Sequence, residues 1–419
     1  MKKIRVGVMG AARGMTMIHQ LMNSKDAELV AICDFYPPIL EEARREVEKN
    51  GLDVKTFEHF DDFVEYPDMD AVVLANYADE HVPFAIRCMD RGLHVMTEVL
   101  TCVNMKQAVD LIECVERHPE LVYSYAENYC YFNTTTEMRR LYRQGKIGEI
   151  VHAEGEYVHD CSSIWPQITY GQRDHWRNNT PANFYCTHSL GPILHVTGLR
   201  PVQVIGTQSI PLPYMAALGA HGCSGAMEIV TLENGAVVKS LHGDMKREPS
   251  SVNYEFYGTK GSMETNRWDL SEMKTYIEAE GCPNCKGELT TYKPALEGDA
   301  DADAGHSGSD YYTVYYFVRA ILGDEAAKKE IIGVYEAVDM CIPGVLAFRS
   351  VNNGNIPIKV PNLRNKAERD AYRNDTYCAN RIYAGEQYHD PEEAYGELPE
   401  IPDEVYERVR DKWIKGEQG

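Results

Sequence analysis

Positive charge is what this 419-residue chain has least of: 42 Lys and Arg stand against 64 Asp and Glu, a formal net charge of −22. So acidic a protein repels polyanions instead of gaining affinity by releasing their counterions, which excludes nucleic acid and anionic membrane as expected partners. Long apolar runs are missing too. None approaches the ~20 residues needed to cross a bilayer, and MKKIRVGVMG leads into a strand with no apolar leader, so the expected location is cytoplasmic. The 12 Cys are scattered and mostly sit in apolar segments, as at Cys33, Cys88, Cys114 and Cys341, a usage that fits reduced thiols better than a disulfide framework. One Cys-x-x-Cys, Cys282 and Cys285, lacks the second pair a structural zinc site needs, and a surface turn with two free thiols is the favoured reading. What is there, 44% hydrophobic and 25% charged residues, is ordinary globular composition with enough length for two cores. A small molecule is the expected partner.

Short β-branched runs alternate with helical stretches over the first third. IRVGVMG, AELVAICD, DAVVLAN, LHVMTE and LVYSYAEN read as strands; GMTMIHQLMNS, PPILEEARREVEKNG, DEHVPFAIRCMDRG and NMKQAVDLIECVERH read as the helices between them. Such alternation makes βαβ units and hence a parallel sheet covered on both faces. The predicted class is α/β, with an N-terminal doubly wound Rossmann domain over residues 1–127. The rhythm then changes to longer strands with Gly-marked turns (GEIVHAEGEYVHD, VQVIGTQS, GAMEIVTLENGAVVKSLHGD, VNYEFYGTKGSMETN), which predicts an α+β domain on an open, mostly antiparallel sheet over 128–360. Its free face needs cover, so a homo-oligomer is expected. Within it GDADADAGHSGSD, at 298–310, reads as a polar loop before YYTVYYFVRAILGD returns to helix, and 361–419 reads as a polar C-terminal extension wrapping a neighbouring surface. There is no internal repeat.

In GVMGAARGM, Gly10 and Gly14 bracket the turn from the first strand into the first helix, where backbone N–H groups and the helix N-terminus can approach a pyrophosphate. Ala12 stands where the middle glycine usually sits, and the spacing is one residue short of G-x-G-x-x-G. The second strand ends at Asp34, about 20 residues on, where a carboxylate holds both ribose hydroxyls and repels a 2′-phosphate. NAD is therefore the expected cofactor. Arg13 in the turn, Asn76 and His81 after the strand DAVVLAN, and Glu98 after LHVM complete the expected cofactor set.

The order of elements and HVMTE at 94–98 resemble the Gfo/Idh/MocA oxidoreductase superfamily over nearly the whole chain. Dehydrogenases of that superfamily carry Glu-Lys-Pro, with a Lys that assists hydride chemistry, where this sequence has Glu98-Val99-Leu100. AENYCY at 126–131, GKIGEIVHAEGEYVHD at 145–160, HWR at 175–177, YCTHSLGP at 185–192 and GHSGSD at 305–310 look like the superfamily's NAD-dependent α-N-acetylgalactosaminidases, which also carry Glu-Val there. The resemblance implies that Glu127, Tyr157, Tyr185 and His188 line a sugar pocket and supply acid–base groups, and it makes His159, Arg173, Arg177 and His306 candidate substrate contacts. The residues also make chemical sense by themselves. Tyr185 and His188, three apart at the opening of a helix, share a face, and the helix field favours a neutral His188 that acts as a base. A Tyr157 near the positive ring of an oxidised nicotinamide would ionise more readily than a free phenol. His195, seven residues beyond His188, reads as packing, and no third ligand turns that pair into a metal site. Ser189 replaces a Gly of the glycosidases' THGLGP, ILHVTGLRP replaces an Arg-Gly-Asp run, and His306-Ser-Gly-Ser-Asp310 varies His-Gly-Gly-Met-Asp, which leaves the sugar open.

The implied cycle oxidises a sugar at C3, removes the acidified C2 proton, expels the C1 substituent, adds water and re-reduces C3. With Lys missing, the bases must come from the second domain. Two alternatives remain: an NAD-dependent sugar or glycoside 3-dehydrogenase that releases a keto sugar, disfavoured by the missing Lys, and a non-catalytic NAD- and sugar-binding sensor, disfavoured by the acid–base set.

Overall fold

The computed structural model describes residues 3–222, 224–279, 286–295, 306–391, 393–395 and 400–418; Cys282 and Cys285 lie outside them. Among the described residues every cysteine is a free thiol, and no helix is long and apolar enough to cross a membrane.

The chain forms two compact units, the first comprising Met1–Cys102, Lys106–Phe132 and Glu297–Val338. Its strands are β1 (Ile4–Met9), β2 (Ala27–Cys33), β3 (Lys55–Phe57), β4 (Ala71–Leu74), β5 (His94–Thr97) and β6 (Tyr123–Tyr125). They make one parallel sheet in the order β3-β2-β1-β4-β5-β6. All four residues of β4 are buried, as a strand covered on both faces requires. The strand order reverses between β1 and β4, which puts the ligand crevice beyond their carboxyl ends. β3 gave no sequence signal because three residues at a sheet edge carry no periodicity.

The division of the chain departs from the expected boundary near 127. The helix Ser309–Ile321 sends Val314, Phe317 and Val318 into the core that holds Val6, Val8 and Met17, and Tyr125 N–H donates to the Ile332 carbonyl at 2.9 Å beside β6. Apolar burial there outweighs sequence distance, so Glu297–Val338 belongs with the first unit.

The second unit, Val103–Met105, Asn133–Leu296 and Asp339–Gly419, is built on β7 (Ile150–Val158), β8 (Pro201–Gln208), β9 (Gly225–Leu232), β10 (Val237–Gly243), β11 (Ser251–Gly258), β12 (Gly261–Asn266), β13 (Asp269–Ile277), β14 (Glu288–Tyr292) and β15 (Ile358–Lys359). The order is β14-β13-β12-β11-β7-β10-β9-β8-β15, antiparallel throughout except for the parallel pair β7 and β10. One face is closed by the helix Thr187–Thr197, whose backbone comes so near β7 that a Cβ on Gly155 would lie 1.8 Å from the Ser189 carbonyl oxygen. The other face carries Ile205, Ile229 and Leu241 in the adjacent strands β8, β9 and β10, and Tyr257, Tyr276 and Leu289 on β11, β13 and β14, all half-buried or exposed. The expected C-terminal extension is an integral part of this unit. Its helix Asp403–Lys415 buries Val409 beside Trp165 and Met215, and Tyr406 Oη donates to the Gly219 carbonyl at 3.2 Å.

The helix is also held from beneath. Ser189 Oγ lies 2.8 Å from Ser240 Oγ and 3.2 Å from His242 Nδ1, His242 Nδ1 is 3.4 Å from Glu228 Oε2, and Asn183 Nδ2 donates to Glu228 Oε1 at 2.9 Å. Burial drives both titratable members to their neutral forms, raising the Glu228 carboxyl to about 8 and lowering the His242 imidazole to about 3. Between the ordinary carboxyl value of 4.5 and about 8 the folded state keeps the Glu228 proton while the unfolded state has lost it, so this group costs stability as pH rises through that window. Glu228→Gln should therefore gain stability over the parent with rising pH, by on the order of 4 kcal/mol between those limits. Urea midpoints at pH 5 and pH 8 read this directly, and a difference that does not change with pH would refute it.

Candidate active site

In the first unit the β1 turn has the shape a dinucleotide needs. Gly10 adopts φ +90°, and a Cβ there would lie 2.5 Å from the Ala75 carbonyl, so only glycine lets the turn pass the end of β4. Gly14 lies against Val8, and Ala12, in place of the middle glycine, points its methyl outward from an exposed position. Asp34, just past β2, is buried; its carboxylate accepts from the Ala11 N–H at 2.8 Å and the Tyr36 N–H at 2.9 Å. Burial raises its carboxyl above the ordinary range against those two donors. Each oxygen keeps a lone pair for a ribose hydroxyl, so these residues fit the adenosine half of NAD. An exposed aromatic ring, Phe35, packs edge-on to Tyr77 at 5.4 Å beside that carboxylate. The sequence pattern did not single it out, because one aromatic after a strand is indistinguishable from core.

Arg13 is engaged within the unit. Its guanidinium lies 2.8 Å from Glu98 Oε1 and forks onto both Asp310 oxygens at 3.1 and 3.2 Å. Asp310, fully buried at the start of its helix, also accepts from Asn128 Nδ2 at 2.8 Å and meets His306 Nδ1 at 2.9 Å. Burial would raise its carboxyl, but the His306 hydrogen bond and the Arg13 charge outweigh that and hold it far below the ordinary range. His306, expected against substrate, thus braces the acid that holds Arg13. Asn76 donates to Glu80 at 3.0 Å. His81, expected at the cofactor, is fully enclosed: Nδ1 meets the Leu100 carbonyl at 2.8 Å and burial lowers its pKa to about 4, so it ties the loop after β5 as a neutral group. Glu127, beyond β6, is buried with Oε1 3.3 Å from the Tyr129 N–H.

The second unit brings most of the expected catalytic residues together. Tyr157 closes β7 and His188 opens the helix Thr187–Thr197, their ring centres 4.7 Å apart. Tyr185 stacks 6.1 Å from Tyr157 and edge-on to His188 at 5.3 Å, although it ends the separate 3-10 turn Ala182–Tyr185 and does not lie on the helix of His188 as the spacing predicted. Tyr157 Oη lies 2.9 Å from His159 Nδ1, a ready path for a phenol proton. The His188 carbonyl accepts from Tyr254 Oη at 2.5 Å, which fixes the first turn of the helix. Arg177 stands over the Trp176 ring at 4.4 Å and the Tyr185 ring at 5.7 Å. Burial works against its charge, but Tyr185, Cys161 and Tyr157 nearby raise its pKa overall; a cation so placed favours negative charge on the phenol oxygens. Tyr157, Tyr185 and Arg177 line one pocket, with Trp165, Trp176 and Asp244 adding aromatic and acidic walls that no spacing had marked.

Arg173 is a correction. It pairs with Asp403 at 2.7 Å, donates to the Ile401 carbonyl and covers the Tyr406 ring at 4.8 Å. The C-terminal helix and the segment before it thus take up its charge and its donors. His195 is buried one helical face below, as packing. The one His/Cys/carboxylate cluster among the described residues, Asp90, Cys114 and His118, lies on the first unit away from all of these groups in sequence.

A parallel six-stranded sheet with a glycine turn after β1 and a carboxylate after β2 is the signature of an NAD-binding oxidoreductase domain, and residues 4–126 match the Gfo/Idh/MocA oxidoreductase family with its NAD-binding Rossmann fold. Residues 4–126 thus carry an NAD-binding Rossmann fold. Over most of its length the chain is similar to proteins named glycosyl hydrolase family 109: one from Stenotrophomonas maltophilia is 25% identical over 414 residues, covering 86% of this chain and 89% of that protein. Another, from Bacteroides thetaiotaomicron, is 23% identical over 408 residues, 87% of this chain and 85% of that one. Among solved structures, scyllo-inositol dehydrogenase from Lactobacillus casei with NAD(H) and scyllo-inositol shares the fold at TM-score 0.67 and 19% identity, covering 85% of this chain and 99% of that one. Levoglucosan dehydrogenase with NADH and L-sorbose does so at TM-score 0.66 and 17% identity, covering 86% and 100%.

Asp34 yields a cofactor test. The unmodified protein should bind NAD more tightly than NADP, and Asp34→Ser should narrow that preference by roughly tenfold or more, about 1.4 kcal/mol. Titration calorimetry with both cofactors measures it; equal affinities in the parent protein would overturn the role of Asp34.

Proposed function

We propose that this chain is an NAD-dependent glycosidase that acts on a small carbohydrate by transient C3 oxidation, elimination across C1 and C2, water addition and re-reduction. The observation that carries it is the pocket lined by Tyr157, Tyr185 and Arg177, with the His188 ring packed against both tyrosines, in a chain with Val99 and Leu100 where a catalytic Lys would stand. Names of relatives similar over most of the chain support the same reading. NAD, which the Gly10 turn and Asp34 would hold, would supply reversible hydride chemistry at C3 with no net redox change. The chain's own groups move the protons. His188, at the helix start, serves the C3 hydroxyl, and Tyr157, with His159 as its relay and Arg177 favouring its anion, takes the proton from C2. Glu127 keeps a proposed acid–base role, and Trp165 and Trp176 offer faces on which a sugar's C–H groups can stack.

A second reading, a sugar 3-dehydrogenase releasing its keto product, draws support from the solved inositol and levoglucosan dehydrogenases. Turnover in D2O separates the two. The glycosidase route places deuterium at C2 of the released sugar with no accumulation of NADH, and Tyr157→Phe should depress exchange and cleavage together, by about 100-fold or more. Protium retained at C2 with steady NADH build-up would establish the dehydrogenase instead.

We infer further that the second unit's open sheet face is an interface between copies of the chain. Ile205, Ile229 and Leu241 form one apolar patch on β8, β9 and β10, and Tyr276 and Leu289 another on β13 and β14, surfaces that water solvates poorly. Light scattering should give a multiple of the 47.4 kDa chain mass, and Leu289→Arg with Tyr276→Glu should lower it. A parent protein of one chain mass at micromolar concentration would refute the interface.

A further inference from the structure

β7 and β10 are parallel and in register, with Tyr157 opposite His242 and Val158 opposite Gly243, and the ladder runs one step further as the His159 N–H donates to the Gly243 carbonyl at 3.0 Å. Parallel neighbours end on the same edge of a sheet, so the residues that follow them emerge side by side. His159 and Cys161 follow β7; Asp244 follows β10. Asp244 lines the pocket that Tyr157, Tyr185 and Arg177 line. Its backbone is held at both ends, the N–H donating to the Ser224 carbonyl at 2.7 Å and the carbonyl accepting from Tyr214 Oη at 2.7 Å. The groups facing its carboxyl are the Cys161 thiol, which hydrogen-bonds to it, the Arg177 guanidinium and the Asp160 carboxylate.

The proposed cycle leaves one proton unassigned. His188 and Tyr157 remove protons, from the C3 hydroxyl and from C2, but neither supplies one to the glycosidic oxygen as its bond to C1 breaks. An alkoxide is a poor leaving group and its alcohol a good one, so a sugar or alkyl aglycone needs an acid at that oxygen.

We propose that Asp244 is the general acid of the elimination and the general base of the water addition, an assignment that rests on the glycosidase reading above. In the elimination the C2–H electron pair becomes the C1–C2 double bond conjugated with the C3 ketone, the C1–O pair stays on the glycosidic oxygen, and the Asp244 proton completes the alcohol. Nothing is oxidised or reduced, and Asp244 is left as a carboxylate. In the addition, water forms the new C1–O bond, its proton returns to Asp244, and C2 takes back a proton from Tyr157. Burial lifts the Asp244 carboxyl to about 6, beyond what the Cys161 hydrogen bond and the Arg177 charge take back, so both protonation states are accessible near neutral pH.

The test pairs two glycosides of whichever hexose the holoenzyme cleaves in a nitrophenyl panel. The methyl glycoside needs protonation of its leaving oxygen, and the 2,4-dinitrophenyl glycoside does not. In a single turnover, which reads the elimination alone, Asp244→Asn keeps the shape and removes the proton; it should slow aglycone release from the methyl glycoside at least 100-fold while dinitrophenolate release stays within about threefold. Deuterium incorporation at C2 from the dinitrophenyl substrate should persist, and NAD affinity by calorimetry should match the parent, which shows the variant is folded. Equal losses on both substrates, or none on either, would overturn the assignment of Asp244. Absence of C2 exchange in the parent protein would instead remove the glycosidase reading itself, so the two failures are distinguishable.

Discussion

The cluster of Tyr157, Tyr185 and His188 in the second unit depends on how closely one helix lies on one strand. The helix Thr187–Thr197 approaches β7 at Gly155, where any side chain would meet the Ser189 carbonyl. That approach brings the ring of His188 to within 4.7 Å of Tyr157. Two polar contacts keep the helix from sliding: Tyr254 Oη on the His188 carbonyl, and Ser189 Oγ with Ser240 and His242. Buried hydroxyls and a neutral imidazole satisfy one another there without a net charge, which avoids the large desolvation cost of an ion in the same place. Ser189, a departure from the glycosidase pattern, is thus the residue through which the helix is anchored.

The first unit solves a different electrostatic problem. Arg13 stands between two buried carboxylates, Glu98 from the loop after β5 and Asp310 from a segment nearly 300 residues away in sequence, 297 positions by number. One cation compensates both, with His306 and Asn128 filling the remaining acceptor positions of Asp310. The loop after β5, with Glu98, Val99 and Leu100, is held by Arg13 and by His81 on the Leu100 carbonyl. Its charges are absorbed by the scaffold, which is consistent with acid–base chemistry assigned to Tyr157, His188 and Asp244.

Much of this was legible in the chain as written. Alternating apolar runs and helical segments announced the parallel sheet, and the Gly10 turn with Asp34 announced NAD, because backbone geometry and ribose recognition depend on local spacing. That Tyr185 and His188, three apart, come together was readable for the same reason, although Tyr185 ends a separate 3-10 turn before the helix. Arg173 and Arg177, separated by one helical turn's worth of residues, were not separable by pattern: one turns to Asp403 and the Tyr406 ring, the other to Tyr185 and the pocket. Asp244, which follows a strand unremarkable in sequence, becomes notable only because β10 lies parallel to β7.

What the sequence by itself determined is the set of local commitments: strand and helix periodicity, the positive-φ glycine turn, the carboxylate after β2 and the clustered Tyr and His residues, all of which act over distances of a few residues. What only the tertiary structure decided is which distant groups meet. The return of Glu297–Val338 to the first core, the pairing of Arg13 with Asp310 and the delivery of Asp244 beside Tyr157 depend on apolar burial and on strand order, and neither is encoded in the spacing of the residues they bring together.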